Sequence, residues 1–507
     1  MSKFTAAAVF SNNMVLQREK GINVFGYGND GETAEVSFCG NTAKATVKNG
    51  RWLVTLPPMQ AGGPYEMTVS GGGTTQTFVN VMVGEVWLAG GQSNMELELR
   101  NCTGGKEVLE NDKNPDVRYY YTQKMVITEA DFSLKESQSG WSEFGTEYAK
   151  CWSAVGYFFA RELAAKLGVT VGIIGCYWGG TSASHWMSRQ ALICDCDTRL
   201  YVDEYDEAIK GKTEEELSRE YDEYQEYDRE WNKKSAEFYA NNPDGSWDEC
   251  CEYCGPNKFP GPLCPRNPFH PAALYESMLQ RVCPYTLKGF LYYQGESDDH
   301  RAKSYLKLLG ALIKLWREDW GDDELAFLIV QLPMHRYKAD SDTKKWCYIR
   351  EAQMRTYKTV KNTGLAVIID CGEFNEIHPK DKLPVGHRLY LQAMYNIYGD
   401  KDIDAFGPVY RSHICEDGKI RIMFDYAEKG YTIKGENGLT GFEVAGEDKV
   451  FYTADAVIGG DNTITVSAKG VNTPVYVRYL WTNYSEVSVY GANGLPMAPF
   501  RTHLNDE

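Results

Sequence analysis

The sequence predicts an α/β chain in which a parallel sheet covered by helices lies between two β-sandwiches, and three patterns carry that prediction. Short segments alternate apolar and polar residues from Gly21 to about Asn80. Apolar strands followed by helix-length amphipathic stretches then run from Val83 to about Asp400. Alternation returns after about Phe406. At 507 residues the chain is too long for one ordinary core, so several packed units are expected.

In the first region Glu35-Val36-Ser37-Phe38, Ala45-Thr46-Val47 and Trp52-Leu53-Val54-Thr55-Leu56 are separated by Gly, Asn and Pro turns, the pattern of a small β-sandwich over 1–82. The middle unit, 83–405, opens with the strand Val86-Trp87-Leu88-Ala89 and a helix from Ser153 to Leu167. Strands follow at Val171–Gly175, Gly289–Tyr293, Ala326–Val330 and Leu365–Ile369. Strands alternating with helices indicate a parallel sheet with both faces covered. Tyr201 to about Tyr239, rich in Glu, Lys and Tyr, reads as a helical insertion standing off that core, within about 198–266. Ile420–Phe424, Thr463–Val466 and Val475–Tyr479 predict a second β-sandwich over 406–507.

Composition excludes several function classes. A formal net charge of -17 opposes the basic surface that binds nucleic acid, and equally an anionic membrane surface. No run of about 18 or more uncharged apolar residues occurs, and the stretch from Met1 to Phe10 lacks a signal peptide's apolar core. Fourteen cysteines scattered from Cys39 to Cys415 read as reduced thiols, so a cytoplasmic protein is expected. Oligomeric state is left open. Gly26-Tyr27-Gly28-Asn29-Asp30-Gly31 matches a dinucleotide-binding pattern, but a strand rather than a helix follows it, so no cofactor is expected.

The segment Gly84–Glu96 has a different character. A buried strand ends in Gly90-Gly91, and Ser93 follows at the start of a helix, where the N-terminus favours negative charge on an attacking oxygen. That is a nucleophile's position and also an ordinary N-cap's. Met95 breaks the G-x-S-x-G elbow of α/β-hydrolases. Trp178-Gly179-Gly180-Thr181-Ser182 and Tyr293-Gln294-Gly295-Glu296-Ser297-Asp298 each follow a strand, and loops after parallel strands share one rim. A glycine N–H and the Gln294 amide are then available to an oxyanion, or else serve as a tight turn and a buried amide bonded to backbone. Of eight histidines, His378 lies in a polar loop after the strand ending at Ile369, on the same rim. It is either a base or a surface histidine.

Gly91-Gln92-Ser93-Asn94-Met95-Glu96, Trp178–Thr181, Tyr293–Ser297 and Ile377-His378-Pro379, in that order, resemble the sialate O-acetylesterase family of SGNH hydrolases. Phe10–Arg18 and Pro499–Thr502 resemble that family's opening and close, so the likeness covers nearly the whole chain apart from the insertion. It implies a flavodoxin-like SGNH core and a serine esterase that removes acetyl groups from sugars, whether sialic acid or acetylated plant-type oligosaccharides. Ser93 becomes the nucleophile and His378 the base. The Ser93 N–H, a glycine of the pair Gly179 and Gly180, and the Gln294 side chain become the oxyanion hole. Many SGNH enzymes have Asp three residues before the histidine, where Asn375 stands, and relatives often have Asp two before, where Glu376 stands. Glu376 is therefore the expected third member, with Glu373 or a backbone carbonyl as alternatives. Glu296 and Arg350 are assigned to substrate binding, Arg350 as the cation for an anionic sugar.

The insertion carries Cys250, Cys251, Cys254 and Cys264, with Cys194 and Cys196 upstream, but a second C-x-x-C at zinc-ribbon spacing is missing. No metal is expected. Two rivals stand beside the esterase: a glycoside hydrolase using Glu296 and Glu376, and a non-catalytic sugar-binding protein built on the sandwiches.

Overall fold

The computed structural model describes residues 4–503 except 146, 244 and 437. The outermost residues that the sequence assigns to the terminal β units, 1–3 and 504–507, lie outside that set.

The architecture is mixed α/β, with further β-sheets at the C-terminal end. Its central sheet contains β1 (Thr74–Gly91), β2 (Val117–Tyr121), β3 (Trp141–Glu143), β4 (Val171–Tyr177), β5 (Gly289–Tyr293), β6 (Ala326–Gln331) and β7 (Thr363–Val367). They lie in the order β3-β2-β4-β1-β5-β6-β7, all parallel except β3. The chain places strands on one side of β1 and then on the other, so the rim beyond the C-terminal ends of β1, β4 and β5 is a topological switch point. Strands β4, β5 and β6 are buried along their whole length, as a sheet covered on both faces requires.

Helices α1 (Ala154–Leu167) and α7 (Leu383–Asn396) pack together on one face, and α5 (Tyr305–Trp320) and α6 (Lys345–Thr359) on the other. Ser153 caps α1, its Oγ accepting the Gly156 N–H at 3.0 Å. Trp316 of α5 lies edge-on to Tyr292 and is tilted against Phe290 and Phe327.

The N-terminal unit joins Thr5–Ala6, Ile22–Tyr27 and Arg51–Leu56 in one antiparallel sheet, and Thr33–Phe38, Asn41–Thr46 and Gly62–Gly71 in another with the start of β1. The dinucleotide-like glycines end in the turn before Thr33–Phe38, a strand. β1 runs unbroken through residues 82 and 83, so what changes there is its pairing partners rather than the chain's direction. The last region forms two four-stranded sheets around their own core, which includes Ile422, Val444, Val466 and Val477. Met334 and Ile369 from the central unit belong to that same cluster.

The insertion is helical: α2 (Cys196–Ile209), α3 (Glu214–Asn241) and α4 (Trp247–Cys254). Capping boxes at Thr213/Glu216 and Ser246/Glu249 start the last two. Trp231, Phe238, Cys250 and Cys254 give it a small core separate from the main one.

Candidate active site

Gly91 ends β1 with φ 134°, and a Cβ there would lie 2.1 Å from the Tyr293 carbonyl oxygen, so only glycine allows β1 and β5 to close at this point. The tight exit places Ser93 first in the short helix Ser93–Glu96. Its N–H therefore has no acceptor within the helix. Ser93 Oγ lies 2.8 Å from His378 Nε2, across 285 residues of sequence.

The histidine loop is held to the serine turn by a side chain that the sequence reading passed over. Asn94 is fully buried; its Nδ2 donates to the Ile377 carbonyl at 2.9 Å and to Glu296 Oε1 at 2.7 Å, and its Oδ1 accepts from Lys382 Nζ at 2.6 Å. Its place next to Ser93 in Gln92-Ser93-Asn94 was the available signal. His335, also buried, supports the loop from below. Its Nδ1 donates to the Glu376 carbonyl at 3.1 Å, and rings of Tyr337 and Trp346 pack on it.

Glu376 is not hydrogen-bonded to the imidazole. Its Oε1 is 3.9 Å from His378 Nδ1, beyond hydrogen-bond reach, and instead accepts the His378 main-chain N–H at 2.7 Å. Glu373 contributes a backbone bridge to Glu376 and a carbonyl 3.4 Å from His335 Nδ1. Enclosure in the cleft floor lowers the pKa of His378, partly offset by the Glu376 charge. That direction favours the neutral ring.

Three assignments are corrected by burial. Gln294 has no free donor: Nε2 donates to Asp298 Oδ2 at 2.6 Å, the Thr181 carbonyl at 3.1 Å and Gln92 Oε1 at 3.2 Å, while Oε1 accepts from Tyr305 at 2.8 Å. It is the buried amide, not an oxyanion ligand. Glu296 is buried behind the serine turn against Asn94, and burial raises its pKa. The neighbouring Lys382, fully buried, is pushed down to about 8. Arg350 is buried on α6, donating to the carbonyls of Pro333 and Thr482, and does not reach the cleft.

Gly179 does reach it. A Cβ there would lie 3.2 Å from Ser93 Cβ, and its N–H donates to Glu96 Oε2 at 2.7 Å. Glu96 is paired with Lys124, whose ammonium lies 5.6 Å from the Trp178 ring. Gly180, with φ 76°, backs onto the Phe259 ring instead. Ser93 and His378 open into a cleft of about 1380 Å³ lined by Trp178, Phe259, Phe269 and residues of α3. Among the described residues, Asp195, Cys196 and Asp197 bring possible metal donors together, but Lys307 already pairs with both carboxylates, its Nζ 2.6 Å from Asp197 and 3.4 Å from Asp195.

Known proteins resemble the chain along its whole length. Residues 266–386 match the family described as carbohydrate esterase, sialic acid-specific acetylesterase. The sialate O-acetylesterase of Mus musculus is 27% identical over 99% of this chain and 95% of its own, and that of Homo sapiens 25% identical over 99% and 93%. The crystal structure of a carbohydrate acetylesterase from Xanthomonas citri superposes with a TM-score of 0.78 at 29% identity, covering 99% of this chain and all of the other.

Proposed function

We propose that this chain, a carbohydrate O-acetylesterase of the sialate O-acetylesterase family, cleaves acetyl esters through an acyl-enzyme on Ser93. The observation that carries the mechanism is the 2.8 Å contact between Ser93 Oγ and His378 Nε2 in the cleft. His378 takes the Ser93 proton as Oγ attacks the acetyl carbonyl. The imidazolium then gives that proton to the departing sugar oxygen. Water, activated by the same nitrogen, releases acetate.

The oxyanion is received by the Ser93 N–H and by the Gly179 N–H, which leaves Glu96 Oε2 for the substrate oxygen. The reading is supported by its present bond, in which the Gly179 N–H donates to a negatively charged carboxylate oxygen at 2.7 Å beside Ser93. Glu376 acts as a nearby charge rather than a hydrogen-bonded triad member, so the machinery is a Ser-His pair with electrostatic support. We read the core as a flavodoxin-like SGNH unit, a reading supported by the nucleophile's position directly after the switch-point strand β1. A reducing compartment such as the cytoplasm suits its fourteen unpaired cysteines. The glycosidase alternative loses a partner, because Glu296 is buried away from the cleft.

Acetate release from an acetylated sugar, followed together with reducing-end formation, tests this. Acetate without new reducing ends is expected. New reducing ends in proportion to turnover would establish glycoside hydrolysis instead.

A further inference from the structure

Helix α6 and the C-terminal β unit enclose a second cavity, of about 300 Å³, which shares no lining residue with the cleft of Ser93 and His378. From α6 come Glu351, Met354, Arg355 and Lys358, which recur at the three- and four-residue spacing of one helix face. The C-terminal unit contributes Tyr410, Trp481 and Phe500. The rings of Tyr410 and Phe500 stack at 4.7 Å with their planes 17° apart, and Trp481 is buried. Flat rings with a methionine beside them suit a planar apolar body. The volume lies at the lower end of the roughly 300–1,000 Å³ of small-molecule pockets, room for one ring and a short arm.

The charge of this cavity opposes that of the molecule. The whole chain carries a formal -17, yet Arg350, Arg355, Lys358 and Arg501 line the cavity with a single carboxylate, Glu351. That carboxylate is already engaged, both oxygens accepting from Arg501 at 2.8 Å. Arg350 is buried with no carboxylate partner among the described residues: it donates to the carbonyls of Pro333 and Thr482, and its Nε has no acceptor. A guanidinium held out of water without a counter-charge makes the surroundings favourable to an anion. Arg355 and Lys358 are exposed and form no ion pair among the described residues. Lys358 Nζ donates to the Tyr410 carbonyl at 3.3 Å, while Asp425, whose charge acts on Lys358, lies 3.6 Å from Arg411. An arginine fork beside an ammonium is the complement of a carboxylate, which the fork can hold by both oxygens.

We infer that this cavity binds a small aromatic carboxylate, its ring against Tyr410 and Phe500 and its carboxylate on Arg355 and Lys358, at a site separate from the esterase centre. The test is calorimetric titration of the full chain with cinnamate, beside cinnamyl alcohol, which keeps the ring without the charge, and acetate, which keeps the charge without the ring. Cinnamate should bind about tenfold or more tightly than either, since a charge-assisted hydrogen bond and a ring contact each contribute on that scale. The double variant Arg355→Glu/Lys358→Glu should weaken cinnamate by about tenfold or more while kcat/KM for acetate release stays within about twofold of wild type. Ser93→Ala should bind cinnamate as the wild type does. No binding of cinnamate by the wild type at millimolar concentration, or equal binding of cinnamyl alcohol, overturns the inference without relying on any variant. Unchanged cinnamate affinity in the double variant overturns it too, and competitive inhibition of acetate release that persists in that variant would place the ligand in the Ser93 cleft instead.

Discussion

His378 meets Ser93 through Nε2 while Nδ1 stands 3.9 Å from the Glu376 carboxylate, and that geometry fixes how the pair responds to pH. Enclosure lowers the pKa of the ring and the Glu376 charge raises it in part. The active, neutral form is therefore lost only as pH falls through a value below the ordinary 6.5 or so of histidine. A profile of log kcat/KM against pH should show its acid limb below that value and a plateau through neutrality. Glu376→Gln removes the negative charge that raises the pKa, so the limb should move further down, and kcat at pH 7 should drop less than about tenfold, because no ring hydrogen bond is lost. Glu373→Gln, whose contacts here are made by its backbone, should leave the limb in place. A loss of about 10⁴ in Glu376→Gln, the scale seen when a triad acid is replaced, would show that its carboxylate turns to Nδ1 during turnover. The meeting of Ser93 and His378 on one rim was legible in the sequence because each follows a strand in a distinctive motif. The role of Glu376 was not, since its direction depends on a backbone N–H two residues away that no spacing reveals.

Among the elements, the loops after β1, β4 and β5 are bound to one another by buried polar groups. Gln294 and Asp298 form the junction: Asp298 accepts from Gln294, from the Ser182 hydroxyl at 2.6 Å, from the Ala183 N–H at 2.9 Å and from Tyr201 of the insertion at 2.8 Å. Gln294→Ala strips one donor from that carboxylate and leaves the Tyr305 hydroxyl without an acceptor in the side chain. It should lower unfolding free energy by about 1–3 kcal/mol in urea denaturation. Unchanged stability with a large fall in kcat would instead return Gln294 to the oxyanion hole. The closing of β1 on β5 is equally specific, and Gly91→Ala should cost more than an ordinary surface change because it meets both a positive φ and a carbonyl at 2.1 Å. The sequence revealed the strands well; Gly289–Tyr293 stands as read, and β7 ends two residues before the predicted Ile369. It misdirected Gln294, Glu296 and Arg350 because a motif names a polar residue without saying whether it is buried. The insertion was read as helical, yet its place as a cleft wall depends on how the 257–269 segment leads back to the core, which periodicity does not encode.

On the scale of the whole molecule the terminal region and the catalytic unit are built into each other. Asn483 accepts the His335 N–H on its carbonyl at 2.9 Å, and its own N–H donates to Asp342 Oδ1 at 2.8 Å. Since His335 supports the loop of His378, deleting 406–507 should give a chain that is poorly soluble or inactive, judged by expression and acetate release. A soluble, fully active 1–405 fragment would contradict that dependence. If acetyl transfer runs through Ser93, acetate release from an O-acetylated sugar should separate wild type from Ser93→Ala, both shown to be folded. In the variant kcat should fall by several orders of magnitude, up to about 10⁶, and acetylated Ser93 should be recoverable from quenched wild-type enzyme. Ser93→Ala retaining more than about a tenth of the activity would contradict it.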